Sequence, residues 1–191
     1  MSRIILRNDD INANTDLVDL QELYDQIRIW LPGVEIWSCV SLMAQQGNFE
    51  SVYADVPFKH QGFDFFMKAD EFMPMNRSIP GDVIASHGLY HLDHTRVIYV
   101  AAEMSILSSC RFLKSKKFVA PFNAVNDNIE AICEAHGIEL STTNYPWKSL
   151  EYEPFDPNHK YWYFHSWKIE MKRMIEHEAS KKGNRADVGQ F

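Results

Sequence analysis

The chain has 191 residues, 46% of them apolar and 13% aromatic, which suits one domain with a real core and excludes extensive disorder. Its 19 basic and 26 acidic residues leave a formal net charge of -7, which argues against nucleic acid as the main partner, because a phosphate-binding surface needs a basic patch. No stretch approaches the roughly 20 apolar residues that span a bilayer, so no membrane partner is expected.

In chain order, residues 3–7 (RIILR) form a short apolar run ending in Asn8-Asp9-Asp10, the pattern of a buried strand reaching a functional edge. Arg3, Arg7, Asp9 and Asp10 charge this start, so it does not read as a signal peptide and a cytoplasmic location is expected. From Asp16 to Leu31 apolar residues recur at helical spacing, with Asn14, Thr15 or Asp16 able to cap the start and Pro32-Gly33 stopping the helix. Residues 34–40 alternate as a second strand. The stretch 44–63 reads as a long loop, and FDFFM at 63–67 as a strand. After the turn at Pro80-Gly81, residues 82–86 (DVIAS) form a strand that runs into a histidine-rich window, SHGLYHLDH. An amphipathic helix is predicted over 95–113, a strand over 116–120, a helix over 126–136 stopped by Gly137, and a strand over 138–140. Residues 144–160, with three prolines, read as an irregular loop, 161–165 (YWYFH) as an aromatic strand, and 167–178 as a last helix. The expectation is one domain over 1–178 and a frayed tail over 179–191. Cys39, Cys110 and Cys133 are widely spaced and read as reduced, buried residues.

Strands alternating with helices predict an α/β fold with a parallel sheet. Polar clusters follow three predicted strands, at Asn8-Asp9-Asp10, at His87 to His91 and at Pro121-Phe122-Asn123, and His165 ends a fourth. In parallel α/β sheets and barrels ligands bind at the carboxyl ends of the strands, so the four clusters are expected to converge.

His87 and His91 are four residues apart, a spacing that lets two imidazoles grip one metal ion from a helix face or from a loop after a strand. Asp9 and Asp10 repel each other, so burying both at a strand end is costly unless a cation or proton relieves them. One carboxylate and two imidazoles with open positions make a hydrolytic or oxygenase metal site. Asp93 and His94 are either partners that orient a ligand imidazole or, for Asp93, a helix cap. Asn123 and Asn126 read as turn and helix-cap residues ahead of any substrate contact, and Met67, Met73 and Met75 as flexible packing.

The set RNDD at 7–10, SHGLYH at 86–91, VAPF at 119–122 and YFH at 163–165 resembles, in chain order, the motifs of the polysaccharide deacetylases, the NodB-like carbohydrate esterase family 4. Those motifs are a paired aspartate, His-x-x-x-His, Arg-x-Pro-aromatic and Leu-x-His. The resemblance implies an irregular (β/α) barrel and a metal-dependent hydrolase that removes an N-acetyl or similar acyl group from a sugar or glycan. It implies Asp10, His87 and His91 as ligands of a divalent metal, zinc first among them, and Asp9 as general base. It also implies the backbone N–H of Phe122 as an oxyanion donor and His165 as general acid. An amide has a poor leaving group, and a histidine, with an ordinary pKa near 6.5, suits its protonation. Among the late aromatics Trp167, just beyond His165, is a candidate sugar-stacking residue.

Two positions depart from the family pattern. Its arginine in the third motif falls at Val119, so Arg7 or a lysine must take over the orienting of the base, or the base is less well held. Its leucine in the last motif is Tyr163. Two rival readings stand beside deacetylation: the same scaffold cleaving a glycosidic bond or another amide, and a glycan-binding module on a catalytically retired deacetylase fold.

Overall fold

The computed structural model describes residues 4–13, 15–45, 69–72, 78–143 and 161–166. Six parallel strands form one sheet: β1 (Ile5–Ile11), β2 (Glu35–Val40), β5 (Val83–Ser86), β6 (Lys117–Val119), β7 (Glu139–Ser141) and β8 (Tyr161–Phe164). A separate antiparallel pair joins β3 (Met43–Gln45) to β4 (Ala69–Phe72). The helices are α1 (Leu17–Trp30), α2 (Tyr99–Phe112) and α3 (Asp127–Ala135). The order across the large sheet is β7-β6-β5-β2-β1-β8, so the strands step outward in sequence until β8 returns to the free side of β1.

The two edges, β7 and β8, are bridged by side chains. The Thr143 hydroxyl donates to the Tyr161 carbonyl at 2.8 Å, and the Tyr161 hydroxyl donates to Glu139 at 3.1 Å. Arg7, from the middle of β1, reaches the Ser141 carbonyl at 3.3 Å. The sheet is therefore an incompletely closed barrel: the parallel α/β sheet expected from the alternating pattern, curled as the resemblance implied.

Period-two alternation divides each strand between two cores. Outward residues Leu6, Ile36, Val40 and Phe164 pack against Leu20, Leu23, Tyr24 and Ile27 of α1. On the same outer face Phe118 and Ala120 pack against Ala102 and Ile106 of α2 and Ile129, Ile132 and Cys133 of α3. Inward residues Ile5, Trp37, Cys39, Ala85 and Val119 fill the barrel, with Tyr161 edge-on to Trp37 at 5.4 Å. The bulk of Trp37 and Tyr161 plugs one level of the barrel, while small Cys39, Ala85 and Val119 leave room for a fully buried arginine. All three cysteines are buried and unpaired with one another.

Several boundaries differ from the sequence pattern. β1 does not stop at Arg7 but runs through both aspartates to Ile11, so the polar cluster is part of the strand. The single helix expected over 95–113 is two elements, because Asp93 accepts from the Thr95 N–H and starts a short 3-10 turn at His94–Arg96 before α2 begins at Tyr99. Residues 43–45, at the start of the expected loop, form β3, and its partner lies at 69–72. The strand expected over 63–67, the loop over 144–160, the helix over 167–178, the tail and the three methionines fall outside the described residues. Of the three candidate caps for α1, Asp16 does the work, accepting from the Val18 and Asp19 N–H groups. No helix among the described residues is long and apolar enough to cross a membrane.

Candidate active site

The site begins with a break in β1. Pairing with β2 is regular to Asn8, then shifts before resuming at Ile11. Asp10 sits in this irregularity at φ 68°, in the left-handed region. Strict alternation would send Asp9 and Asp10 to opposite faces; the bulge re-aims the second carboxylate so that both line one cavity. That cavity, about 220 Å³, is also lined by His87, His91, Phe122, Asn123, Tyr163 and His165. Trp167 lies outside the described residues.

His87 and His91 come from an irregular loop after β5, not from a helix. The His87 N–H continues the strand pairing by donating to the Val40 carbonyl at 2.8 Å. Gly88 then turns the chain at φ 92°, where an added Cβ would lie 2.6 Å from the Tyr90 carbonyl oxygen and 2.9 Å from His94, so only glycine fits. The small polar face of α2 secures the loop: Ser105 accepts from the Leu89 N–H, and Ser109 bonds Ser86.

The donor atoms of Asp10, His87 and His91 all lie within 4.8 Å of one another, and all three residues are buried. Nε2 of His91 is 2.7 Å and Nε2 of His87 3.2 Å from the same oxygen, Asp10 Oδ1. His87 Nδ1 lies 2.8 Å from the Val119 carbonyl, which can only accept, so Nδ1 carries a proton. In a neutral His87 the Nε2 lone pair then faces a carboxylate oxygen, an arrangement that a cation between them relieves. Burial pushes the His91 pKa down against the pull of Asp10. Burial pushes the Asp10 carboxyl up, but the imidazoles around it, His91 foremost and then His165 and His87, hold it far below the usual carboxylate range. An ionised carboxylate facing an imidazole biased toward neutrality is a donor set that fits a divalent metal. The bond to Val119 O is the orienting partner that metal-ligating histidines usually have.

Asp9 is held differently. Arg7, fully buried, grips it with Nε to Oδ1 at 3.3 Å and Nη2 to Oδ2 at 2.7 Å. Nη2 also donates to Asn123 Oδ1 at 3.0 Å, and that oxygen accepts from the Thr143 N–H at 3.2 Å. Burial pushes the Asp9 carboxyl up, and the charge and hydrogen bond of Arg7, together with His87 and His165, more than offset it, leaving the group below its ordinary value. The arginine missing at Val119 is thus supplied from β1, two residues before the carboxylate it orients. Asn123, expected as a turn residue, is also a brace for Arg7, whereas Asn126 is a cap, accepting from the Ile129 N–H.

His165 follows β8 and places Nε2 3.2 Å from Asp10 Oδ2, with Tyr163 edge-on to its ring at 5.8 Å. Phe122 stands edge-on to His91 at 4.6 Å. Phe122 and Asn123 both have positive φ, 59° and 52°. For a bulky aromatic this is a genuine outlier, and strain of this kind gathers at functional sites.

Asp93 and His94 do not orient a ligand imidazole. Asp93 caps the 3-10 turn and pairs with Arg96 at 3.0 Å, while His94 Nε2 meets the Ser105 hydroxyl at 2.9 Å beneath the loop. Burial, then the charges of His87 and His91, push the His94 pKa down to about 3. The folded state therefore binds fewer protons than the unfolded chain between pH ~6.5 and ~3. His94's contribution to stability is complete above that window and falls as pH drops through it, at up to about 1.4 kcal/mol per pH unit. Denaturant unfolding at pH 7.5 and 5.5 is expected to show a larger loss for the parent than for His94→Gln, which keeps a partner for Ser105 but cannot charge. Equal losses would remove His94 as the source.

The fold and site together define a parallel (β/α) barrel with a carboxylate–histidine cluster at the carboxyl ends of its strands. No protein-family model matches the sequence, and no curated protein matches it. Solved structures do match in fold. A family 4 carbohydrate esterase from Streptomyces lividans, in complex with acetate, superposes with a TM-score of 0.55 at 12% identity, over 94% of this chain and 89% of that one. The peptidoglycan deacetylase PdaC from Bacillus subtilis does so at 0.51 and 11%, over 98% and 95%. A family 4 pseudoenzyme from Bacillus anthracis reaches 0.51 at 8%, over 96% of this chain and 61% of its own. The chain therefore has the fold of the NodB-like family 4 carbohydrate esterases.

Proposed function

We propose that the chain is a metal-dependent hydrolase that removes an N-acetyl or similar acyl group from a sugar or glycan. The observation that carries this reading is the meeting of Asp10, His87 and His91 in one buried cluster beside an arginine-clamped second carboxylate. Asp10, His87 Nε2 and His91 Nε2 would hold the cation, with zinc the first candidate for a set of two imidazoles and one carboxylate. A divalent cation there supplies Lewis acidity, which lowers the pKa of water toward ~7 and polarises a carbonyl.

The protein's own groups do the rest. Asp9 takes the proton of the attacking water; Arg7 occupies one side of its carboxylate and fixes its direction, leaving lone pairs for the water. The Phe122 N–H would donate to the oxygen that gains charge as the acyl carbon becomes tetrahedral, a role supported by the place of Phe122 in the cavity lining. His165 gives a proton to the leaving nitrogen as the C–N bond breaks. A cavity of about 220 Å³ suits an acyl group and the first atoms of its leaving group, and Trp167, two residues beyond His165 in sequence, is the candidate for sugar stacking.

The test is acetate release from a panel of N-acetylated sugars and oligosaccharides, run beside an assay for chain cutting on the same glycans. The expected result is acetate without chain cutting, lost on chelation and restored by zinc. Replacing His165 with alanine should lower amide turnover by about 10²–10⁴-fold, the usual worth of one positioned acid. Glycan binding with zinc loaded and no acetate released would instead favour the retired binding module. The Arg7 clamp speaks against that outcome, since binding alone needs no oriented base.

A further inference from the structure

Asn8, directly before the two aspartates, points to the opposite face of β1 and is fully buried. Its side chain ends a line of hydrogen bonds whose direction can be assigned proton by proton. Ser38 Oγ donates to the Pro80 carbonyl, which can only accept. With its proton committed there, Ser38 Oγ accepts from the Tyr24 hydroxyl at 2.8 Å. Tyr24 must then accept from Asn8 Nδ2 at 3.0 Å. That fixes the Asn8 amide, so Oδ1 faces the other way, where it accepts from the Ser166 N–H at 2.9 Å. Tyr24 and Ser38 are fully buried, and Gly81 leaves the space that Ser38 needs, since a Cβ there would lie 2.8 Å from Ser38 Oγ. The bonded amide is that of the residue following His165.

We propose that Asn8 is a positioning residue for His165: the line Pro80–Ser38–Tyr24–Asn8 anchors the backbone just beyond β8 and thereby holds the imidazole at the cavity. Ladder pairing of β8 with β1 runs from Ile5↔Tyr161 to Asn8↔Phe164. Beyond Phe164 the Asn8 side chain takes over, tying Ser166 to the strand that carries Asp9 and Asp10. The proton donor is thus located from the same strand as the base, and a buried hydroxyl on α1 sets the amide that does it. The inference rests on reading His165 as the donor to the leaving nitrogen.

The consequence is selective. An amide needs the proton as its C–N bond breaks, whereas an aryl acetate expels a phenolate unaided. The variants are Asn8→Ala, which removes the acceptor of the Ser166 N–H, and Tyr24→Phe, which leaves Asn8 Nδ2 without its acceptor, as a milder second should Asn8→Ala fail to fold. In zinc-loaded protein, Asn8→Ala is expected to lower kcat for an N-acetylated sugar about tenfold or more, as small misplacements of a reacting group do. Aryl acetate turnover should stay within about twofold, a ratio a general loss of structure would not produce. A crystal structure of the variant should show the Ser166 N–H released from residue 8 and His165 displaced from Asp10. Equal losses on both substrates, or His165 unmoved, would overturn the proposal. If the parent protein hydrolyses neither substrate, the functional reading fails, while the position of His165 in the variant still decides whether Asn8 holds it.

Discussion

Replacing His91 with alanine will remove bound metal and acyl hydrolysis together. Its Nε2 makes the closest approach to Asp10 Oδ1, at 2.7 Å, and its ring is wedged between His87, at 4.9 Å, and Phe122. Without it a cation would keep one carboxylate oxygen and one imidazole, too few to compete with water. Loss of a group that merely supports a ligand costs about 10–100-fold in metal affinity; loss of the ligand itself should exceed that. Metal content after gel filtration is expected to fall from near one equivalent to near none in His91→Ala and His87→Ala alike, with acetate release falling in parallel. Full turnover in a metal-free His87→Ala/His91→Ala protein would reject the mechanism.

Arg7→Met should cost about 3–5 kcal/mol of stability, the range for removing one partner of a buried ion pair. The guanidinium is fully buried and makes bonds to Asp9, Asn123 and Ser141. Methionine fills much of its volume but leaves the Asp9 carboxylate uncompensated inside the barrel. That origin is testable by a second change. Asp9→Asn removes the stranded charge, so Arg7→Met/Asp9→Asn should unfold at higher denaturant than Arg7→Met alone. If the double variant is the less stable of the two, arginine is there for packing and the account of the clamp is wrong. Arg7→Lys keeps the charge but not the two-point grip, and should retain more stability than activity.

Much of the architecture could be read from alternation and punctuation. Apolar runs ending in NDD, HGLYH and PFN mark strands whose carboxyl ends carry polar groups, and a parallel sheet brings such ends together whatever their separation in sequence. What could not be read lies where local pattern and tertiary demand part. Asp10 adopts a left-handed conformation that nothing in RNDDI announces, and this bulge is what turns two alternating aspartates toward one cavity. Val97 sits at helical spacing from Val100, Ala101 and Met104, but Asp93 nucleates its own short turn and delays α2. The strand at ADEF, in a small antiparallel pair outside the main sheet, carries two adjacent charges and no apolar alternation to mark it. Arg7 was visible as a charge inside an apolar run and a possible substitute for the arginine absent at Val119. Its grip on Asp9 depends on small side chains from three other strands, which no local signal joins. Asn8 was invisible as an anchor because its partners lie on α1 and beyond β8.

The most direct measurement is anomalous diffraction from crystals of the zinc-soaked protein at the zinc edge. One strong peak is expected, bonded to Asp10, His87 Nε2 and His91 Nε2, with Asp9 and His165 beside it and not bonded to it. A cavity without a peak at saturating zinc, or a peak elsewhere on the chain, would contradict the proposed metal site.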